Sequence, residues 1–149
     1  MSFYASCSAV DEVFISHSAE ETMRWGREFA AGLKAPVLVL LSGELGSGKT
    51  TLTKGIVGGL GVAPEDEVTS PTFTLVHVYG RDHGVYHADL FRVESLADFE
   101  SLGLEDIFLK PAVVILEWPE RFHLKTAWPR VQVRLEHLGG DSRRITVLA

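Results

Sequence analysis

Glycines, a lysine and threonines stand close together in residues 41–52, the stretch LLSGELGSGKTT. Gly43, Gly48, Lys49 and Thr50 match the spacing G-x-x-x-x-G-K-S/T. A loop of this kind turns backbone N–H groups toward phosphate oxygens, while the lysine reaches the β/γ-phosphates and the hydroxyl ligates Mg²⁺. The alternative is a chance match in a glycine-rich turn, expected in on the order of one per cent of chains this long. The pattern therefore favours a nucleotide-phosphate site.

Two acidic residues are candidates for the partner that such a loop needs to hold Mg²⁺ or to polarise water. Glu117 directly follows the apolar run VVIL, and Asp89 ends the strand-like segment VYHAD. A solvated acid at a strand end is the ordinary alternative for both. The apolar run before Glu117 and the tryptophan after it favour a functional role more strongly for Glu117 than for Asp89.

Two further features give weaker signals. The segment VTSPTFT, residues 68–74, combines hydroxyl side chains with a proline, and a threonine in such a segment can close over the γ-phosphate as a switch. The same residues also suit an ordinary turn. His83 and His87 are four residues apart in a region with strand and turn character, so helical metal-ligand spacing does not apply. We interpret both histidines as ordinary surface or core residues.

Composition restricts the partners and the compartment. The chain has 149 residues, a formal net charge of −6 and a single cysteine. The acidic balance argues against a broad nucleic-acid-binding face, because phosphate neutralisation needs clustered Lys and Arg. One cysteine forms no intramolecular disulfide, which fits a reducing compartment. We see no secretory signal and no apolar stretch near the ~20 residues that span a bilayer. We therefore expect a cytoplasmic protein with neither a membrane nor a DNA partner.

Apolar periodicity predicts the elements that must position the candidate residues. Ser18 and Glu21 form a capping box before the helical segment AEETMRWGREFAAGL. The continuous apolar runs PVLVLLS and AVVIL are typical of strands buried on both faces of a parallel sheet. A helix is predicted over Lys49–Leu60, directly after the glycine-rich loop. The loop thus joins a buried strand to a helix, the setting that a phosphate loop requires.

The remaining segments predict two hairpins and one more helix. Alternation from Thr74 to Leu90 predicts an antiparallel hairpin, and RVQVRLEHLGGDSRRITVL predicts a second around a glycine turn. LADFESLGLEDIF, introduced by Ser95 and Asp98, predicts a helix. The predicted fold class is α/β, a P-loop NTPase-like central mixed β-sheet flanked by helices, with antiparallel hairpins. We expect a single domain over residues 1–149.

Five segments together carry a resemblance to a known family. GELGSGKTTLTKGI, VTSPTFTLVHVY, VYHADLFRV, LGLEDIF and VVILEWPER occur in the order and spacing of the TsaE (YjeE) family. The chain resembles this family over nearly its whole length. The resemblance implies a weak, partner-dependent ATPase required for threonylcarbamoyladenosine at position 37 of ANN-decoding tRNAs. It further implies ATP and Mg²⁺ as cofactors, and a complex of TsaB and TsaD as partner, with tRNA contacted only indirectly through that complex.

The resemblance also assigns roles to individual residues. Catalysis would involve Lys49, Asp89 and Glu117, and Mg²⁺ would be held by Thr50 and Glu117. The nucleotide would contact Glu44, Gly46, Ser47, Gly48, Lys49, Thr50, Thr51, Thr72, Trp118 and Arg143. Residues 19–22 would lie near the adenine. Which of the two acids positions the attacking water stays open. The chain departs from the family pattern at Phe91, where a tyrosine is usual, at Glu44, where aspartate is common, and at Trp128.

Two other functions remain compatible with the motifs. One is a free-standing small-molecule kinase, although the arginines that could form its lid, Arg121, Arg130, Arg143 and Arg144, are scattered along the chain. The other is a nucleotide-gated binding module without significant hydrolysis. Turnover measured with metabolites and with partner proteins separates these alternatives.

Overall fold

The computed structural model describes residues 10–44, 46–69, 76–80, 84–91, 93–119 and 126–148. Within these ranges the strands are β1 Val10–Ser16, β2 Val37–Ser42, β3 Val76–Tyr79, β4 Val85–Asp89, β5 Val113–Glu117, β6 Arg130–Gly139 and β7 Ser142–Leu148. The helices are α1 Ala19–Ala31, α2 Lys49–Leu60, α3 Leu96–Ser101 and α4 Leu104–Ile107, with a 3₁₀ turn at Glu65–Glu67.

The described strands form one seven-stranded mixed sheet in the order β1-β7-β6-β2-β5-β4-β3. The central strand β2 runs parallel to both β5 and β6, and β5 runs parallel to β4. The pairs β3–β4, β6–β7 and β1–β7 are antiparallel. The continuous apolar runs of β2 and β5 follow from this position, because a strand inside a sheet covered on both faces needs apolar side chains on both sides. The predicted mixed sheet with antiparallel hairpins is confirmed.

Helices cover the two faces of the sheet unequally. The larger core cluster joins α1 and α2 to one face and includes Trp25, Phe29, Leu52 and Ile56. The smaller cluster lies on the opposite face beneath α3 and α4. Because successive strand residues point to opposite faces, Val39 and Leu41 belong to the first cluster and Leu38 and Leu40 to the second.

The predicted capping of α1 is confirmed. The Ser18 hydroxyl accepts a hydrogen bond from the backbone N–H of Glu21 at 3.1 Å. The Glu21 carboxylate in turn accepts from the backbone N–H of His17. These bonds satisfy N–H groups that have no partner inside the helix, so α1 begins where the sequence predicts.

The single helix predicted over LADFESLGLEDIF is wrong, because this segment forms two short helices. Gly103 separates α3 from α4 and has a φ of 69°, in the left-handed region that ends a helix. The predicted start is correct, since the Ser95 hydroxyl accepts from the Asp98 N–H at 3.1 Å.

Helices α1 and α2 approach each other closely because glycines lie at their crossing. A Cβ placed on Gly55 would lie 2.3 Å from the carbonyl oxygen of Met23, and one on Gly59 would lie 2.7 Å from that of Arg27. A Cβ on Gly26 would meet the carbonyl oxygen of Leu52 at 3.0 Å. Backbone therefore packs on backbone here, and α2 is pressed against α1 and the sheet.

In the part of the chain that the structure describes, no helix is long and apolar enough to cross a membrane. The predicted turn GRDHG is only partly visible, since residues 81–83 lie outside the described residues.

Candidate nucleotide site

The glycine-rich loop connects the end of β2 to the start of α2. Three of its glycines have φ values in the left-handed region, at 150° for Gly43, 78° for Gly46 and 105° for Gly48. At Gly43 space is also required, because an added Cβ would lie 2.6 Å from the Ser47 hydroxyl and 2.7 Å from a carbonyl oxygen of β6. The loop can therefore turn closely around the start of α2, where backbone N–H groups and the helix dipole favour an anion.

Lys49 is the first residue of α2 and is held inside the loop, with 6% of its surface exposed. Its ammonium donates to the backbone oxygens of Gly43 and Glu44. The same ammonium lies 4.4 Å from the ring centroid of Trp118. Phosphate oxygens offer it a stronger, charged acceptor than these carbonyls.

Asp89 and Glu117 lie side by side at the carboxyl ends of two neighbouring parallel strands. They are register partners between β4 and β5, and Glu117 is also opposite Leu41 at the end of β2. Ligand sites of open α/β sheets lie at this edge. Burial raises the pKa of the Asp89 carboxyl above its usual value, a hydrogen bond from the Phe91 N–H lowers it, and the Glu117 charge raises it further. The site therefore holds one acid whose affinity for a proton is increased.

One cavity of about 330 Å³ brings most of the predicted site residues together. Its lining consists of Gly46, Ser47, Gly48, Lys49, Thr50, Thr51, Asp89, Glu117, Trp118 and Arg143. Glu44 is not among them: its side chain is exposed and lines a neighbouring cavity of about 740 Å³, so its contribution to the loop is its carbonyl oxygen. The predicted switch residue Thr72 lies outside the described residues.

Arg143 reaches the loop from β7, almost a hundred residues further along the chain. Its guanidinium donates to the carbonyl oxygen of Gly46 at 3.4 Å and to that of Gly140 at 3.1 Å. Its Nε lies 3.6 Å from the position that a Cβ on Gly48 would occupy. A permanent positive charge therefore lies beside the phosphate loop, at the same cavity as Lys49.

Trp118 occupies an unusual backbone conformation directly after Glu117. Its φ is 59°, and its N–H donates to the carbonyl oxygen of Leu41 at 3.3 Å. A non-glycine residue in this region is uncommon and costs of order 1–3 kcal/mol, which the surroundings must offset. The Phe91 ring packs on the indole with centroids 4.9 Å apart. Phe91 thus supports Trp118 through its ring, without the hydroxyl that the family tyrosine would supply.

The segment predicted to lie near the adenine does approach the loop. Ala19 and Thr22 line a small cavity of about 60 Å³ together with Gly48, Thr51, Asp141 and Arg143. Asp141 has no motif around it and was not predicted. Only the fold of the last hairpin shows that its turn reaches the nucleotide loop.

His87 is the other residue of the site that the sequence analysis missed. It is fully buried, and its Nε2 lies 2.5 Å from Oε2 of Glu117. A signal was present, because His87 and Asp89 are two apart on one strand and so share a face of the sheet. The helical-spacing test for metal ligands could not detect a contact made across strands.

The donor set fits a Mg²⁺-nucleotide. The hydroxyl of Thr50 and the carboxylate of Glu117 line the same cavity, and Mg²⁺ prefers such oxygen ligands together with phosphate oxygens and water. The Ser47 hydroxyl is buried within the loop and has no hydrogen-bond partner among the described residues. A buried hydroxyl in a phosphate loop gains a partner when an anion enters.

Comparison with known proteins identifies the family. A family model described as threonylcarbamoyl adenosine biosynthesis protein TsaE matches residues 16–145. The chain belongs to the TsaE family. The matched span contains the phosphate loop, both acids and Arg143, so every described site residue lies inside the region that defines the family.

Curated members of the TsaE family align with most of the chain. A Treponema pallidum protein is 38% identical over 133 residues, which are 89% of this chain and 97% of that protein. A Streptomyces coelicolor protein is 40% identical over 130 residues, 82% and 86% of the two chains. Both are named tRNA threonylcarbamoyladenosine biosynthesis protein TsaE. The resemblance stated from the sequence is confirmed.

A solved structure supports the same TsaE-family fold. The crystal structure of YdiB from Bacillus subtilis matches with a TM-score of 0.72 at 30% identity, over 95% of this chain and 87% of that one. The predicted P-loop NTPase-like fold class is therefore confirmed.

In this TsaE-family chain, nucleotide binding is expected to change the fluorescence of Trp118, because phosphates compete for the ammonium that lies over its ring. Trp25 and Trp128 pack instead on Phe29 and Phe108. Titration with ADP should change the tryptophan fluorescence of the wild type and of a Trp128→Phe variant. Most of this change should be absent in Trp118→Phe. An unchanged signal in Trp118→Phe would show that another tryptophan reports binding.

Proposed function

We propose that this TsaE-family chain binds and hydrolyses ATP with Mg²⁺, slowly on its own and faster with its partners. The hydrolysis would support threonylcarbamoyladenosine modification at position 37 of ANN-decoding tRNAs, in the cytoplasm, through a complex of TsaB- and TsaD-type proteins. The observation that carries this proposal is the convergence of Lys49, Asp89, Glu117 and Arg143 on one cavity beside the phosphate loop.

The first role of the site is to bind the nucleotide. The loop N–H groups and the start of α2 would cradle the phosphates, while Lys49 and Arg143 neutralise their charge. The adenine would lie toward the small cavity near Ala19 and Thr22, on the side of the loop where α1 begins. Thr50 and Glu117 would hold Mg²⁺, which when bound neutralises charge on the phosphate oxygens.

The second role is to position a water molecule for in-line attack on the γ-phosphate. We assign this role to Asp89 and metal ligation to Glu117. The Asp89 carboxyl lies half-buried at the cavity, and burial raises its pKa, which suits it to accept a proton from the attacking water. One oxygen of Glu117 is engaged by His87, which suits a ligand held in one orientation. Catalysis would then come from positioning and electrostatics.

Partner dependence is supported by the arginines. Among the described residues, Arg143 is the arginine that lines the cavity, whereas Arg144 and Arg134 lie beside Glu136. In related phosphoryl-transfer sites a further arginine from a partner accelerates turnover by about 10³–10⁵-fold. The formal net charge of −6 also agrees with tRNA being held by the partners.

ATP turnover is therefore expected to be slow for the isolated chain and to rise at least about 10-fold when TsaB- and TsaD-type proteins are added together. Phosphate release measured for the chain alone, with the partners, and with a panel of cellular metabolites tests this. Stimulation by a metabolite without the partners would support a small-molecule kinase instead. Nucleotide-dependent assembly without phosphate release, even in a single turnover, would support a binding module.

A further inference from the structure

His87 lies beside the catalytic edge of the sheet without lining the cavity. Its side chain on β4 is fully buried, and Nε2 contacts Oε2 of Glu117 at 2.5 Å. In the register of β4 and β5, His87 is opposite Ile115, and Asp89 is opposite Glu117. The imidazole therefore reaches diagonally to the acid at the end of the next strand, on the face of the sheet that α2 covers.

This contact limits what the Glu117 carboxylate can do. Glu117 is 3% exposed, and a buried carboxylate requires a hydrogen-bond donor. With Oε2 held by the imidazole, Oε1 is the oxygen available to a ligand in the cavity. The bond also restricts rotation of a side chain that otherwise has several rotamers, so less conformational entropy is lost when a ligand binds.

We propose that His87 is a positioning residue, which holds the Glu117 carboxylate so that Oε1 faces the phosphate-loop cavity. The inference rests on the proposed role of Glu117 as a Mg²⁺ ligand. It assigns a function to the histidine of the segment HAD that neither its spacing nor its burial alone would indicate. A merely structural histidine would serve packing, and removing it would leave metal affinity of the folded protein unchanged.

Metal affinity provides the test. Mn²⁺, a spectroscopic substitute for Mg²⁺, is titrated into the complex of the chain with ADP, and free Mn²⁺ is followed by electron paramagnetic resonance. His87→Met removes the donor while retaining bulk, and is expected to weaken Mn²⁺ binding by about 10–100-fold, the usual effect of losing a group that orients a metal ligand. His87→Gln is expected to recover most of this loss, since the glutamine Nε2 can donate from a similar position.

Two further variants separate the possible failures. His77→Met changes a histidine whose ring lies 6.5 Å from that of His87 but which contacts Tyr79 instead, and is expected to leave Mn²⁺ binding unchanged. Glu117→Gln is expected to weaken it strongly. The inference on His87 would be overturned if His87→Met bound Mn²⁺ with wild-type affinity while Glu117→Gln lost affinity, and the proposed function would remain intact. Wild-type affinity in Glu117→Gln would instead overturn the metal-ligand assignment.

The test does not depend on the methionine variant folding. If His87→Met fails to fold, His87→Gln is compared with His87→Asn, whose shorter amide does not reach Glu117. Weaker Mn²⁺ binding in the asparagine variant supports a positioning role. Equal affinities in the two variants overturn it.

Discussion

Replacement of Lys49 by alanine is expected to lower partner-stimulated ATP turnover by roughly 10²–10³-fold, the usual effect of removing one charge-stabilising group from an active site. The ammonium is buried in the loop, contacts two loop carbonyls and lies over the Trp118 ring, all at the cavity that the phosphates would enter. Among the described residues, Lys49 is the lysine of this cavity, and Arg143, which also lines it, donates to loop carbonyl oxygens from β7 and does not occupy the position of Lys49 at the start of α2.

The matched control is Lys54→Ala. Lys54 lies on the same helix, is also partly buried and does not line the cavity. It is expected to keep wild-type turnover. Phosphate release is measured for both variants with partners present, and circular dichroism checks that both are folded. Turnover within a few-fold of the wild type in a folded Lys49→Ala chain would refute the phosphate-loop assignment.

Substitution of Gly55 by alanine is expected to destabilise the fold by about 2–3 kcal/mol, the upper part of the range for overpacked interiors. The new Cβ would lie 2.3 Å from the Met23 carbonyl oxygen and 2.9 Å from its Cα. These are backbone atoms, so α1 as a whole must move away from α2, disturbing the core around Trp25 and Leu52. The gain in helix propensity from alanine, about 1 kcal/mol, offsets only part of this cost.

The control for Gly55 is Gly32→Ala at the end of α1. A Cβ there would be 3.7 Å from the nearest atom outside the adjoining residues, and the backbone is right-handed. In urea denaturation, the free energy of unfolding of the Gly32→Ala chain should lie within about 0.5 kcal/mol of the wild-type value. In thermal denaturation, the Tm of the Gly55→Ala chain should be roughly 4–12 °C below that of the wild type. Equal stability of the two variants would show that the helices separate without cost.

Nucleotide affinity is also expected to depend on this crossing. Helix α2 begins with Lys49 and carries Thr50, so its distance from the sheet sets the distance between those residues and Glu117 at the end of β5. A shift of α1 against α2 should therefore reduce nucleotide affinity as well as stability. Gly55 does not line the cavity of the predicted phosphate site, so such a loss would be transmitted through packing.

Local chemistry could be predicted from the sequence because it depends on short segments. The glycines, Lys49 and Thr50 are consecutive or nearly so, and their spacing alone specifies a phosphate loop between a buried strand and a helix. The same holds for the Ser18 cap and for the apolar runs of β2 and β5, because strands buried on both faces consist of consecutive apolar residues. The position of Glu117 at a strand end belongs to this class.

Contacts between distant segments needed the tertiary structure. Arg143 reaches the loop across 97 residues because β7 pairs in the sheet beside β6, and no local pattern encodes that distance. His87 meets Glu117 only because β4 and β5 are parallel neighbours in one register. The break between α3 and α4 at Gly103 and the close approach of α1 and α2 at Gly55 also needed the tertiary structure. A glycine permits several backbone conformations, and its surroundings decide among them. The sequence alone determined that a phosphate loop, an acid at the end of a buried strand and an α/β sheet are present, because residue type and spacing suffice for these. Only the tertiary structure decided which side chains share the cavity, because strand order and register set distances between residues far apart in the chain.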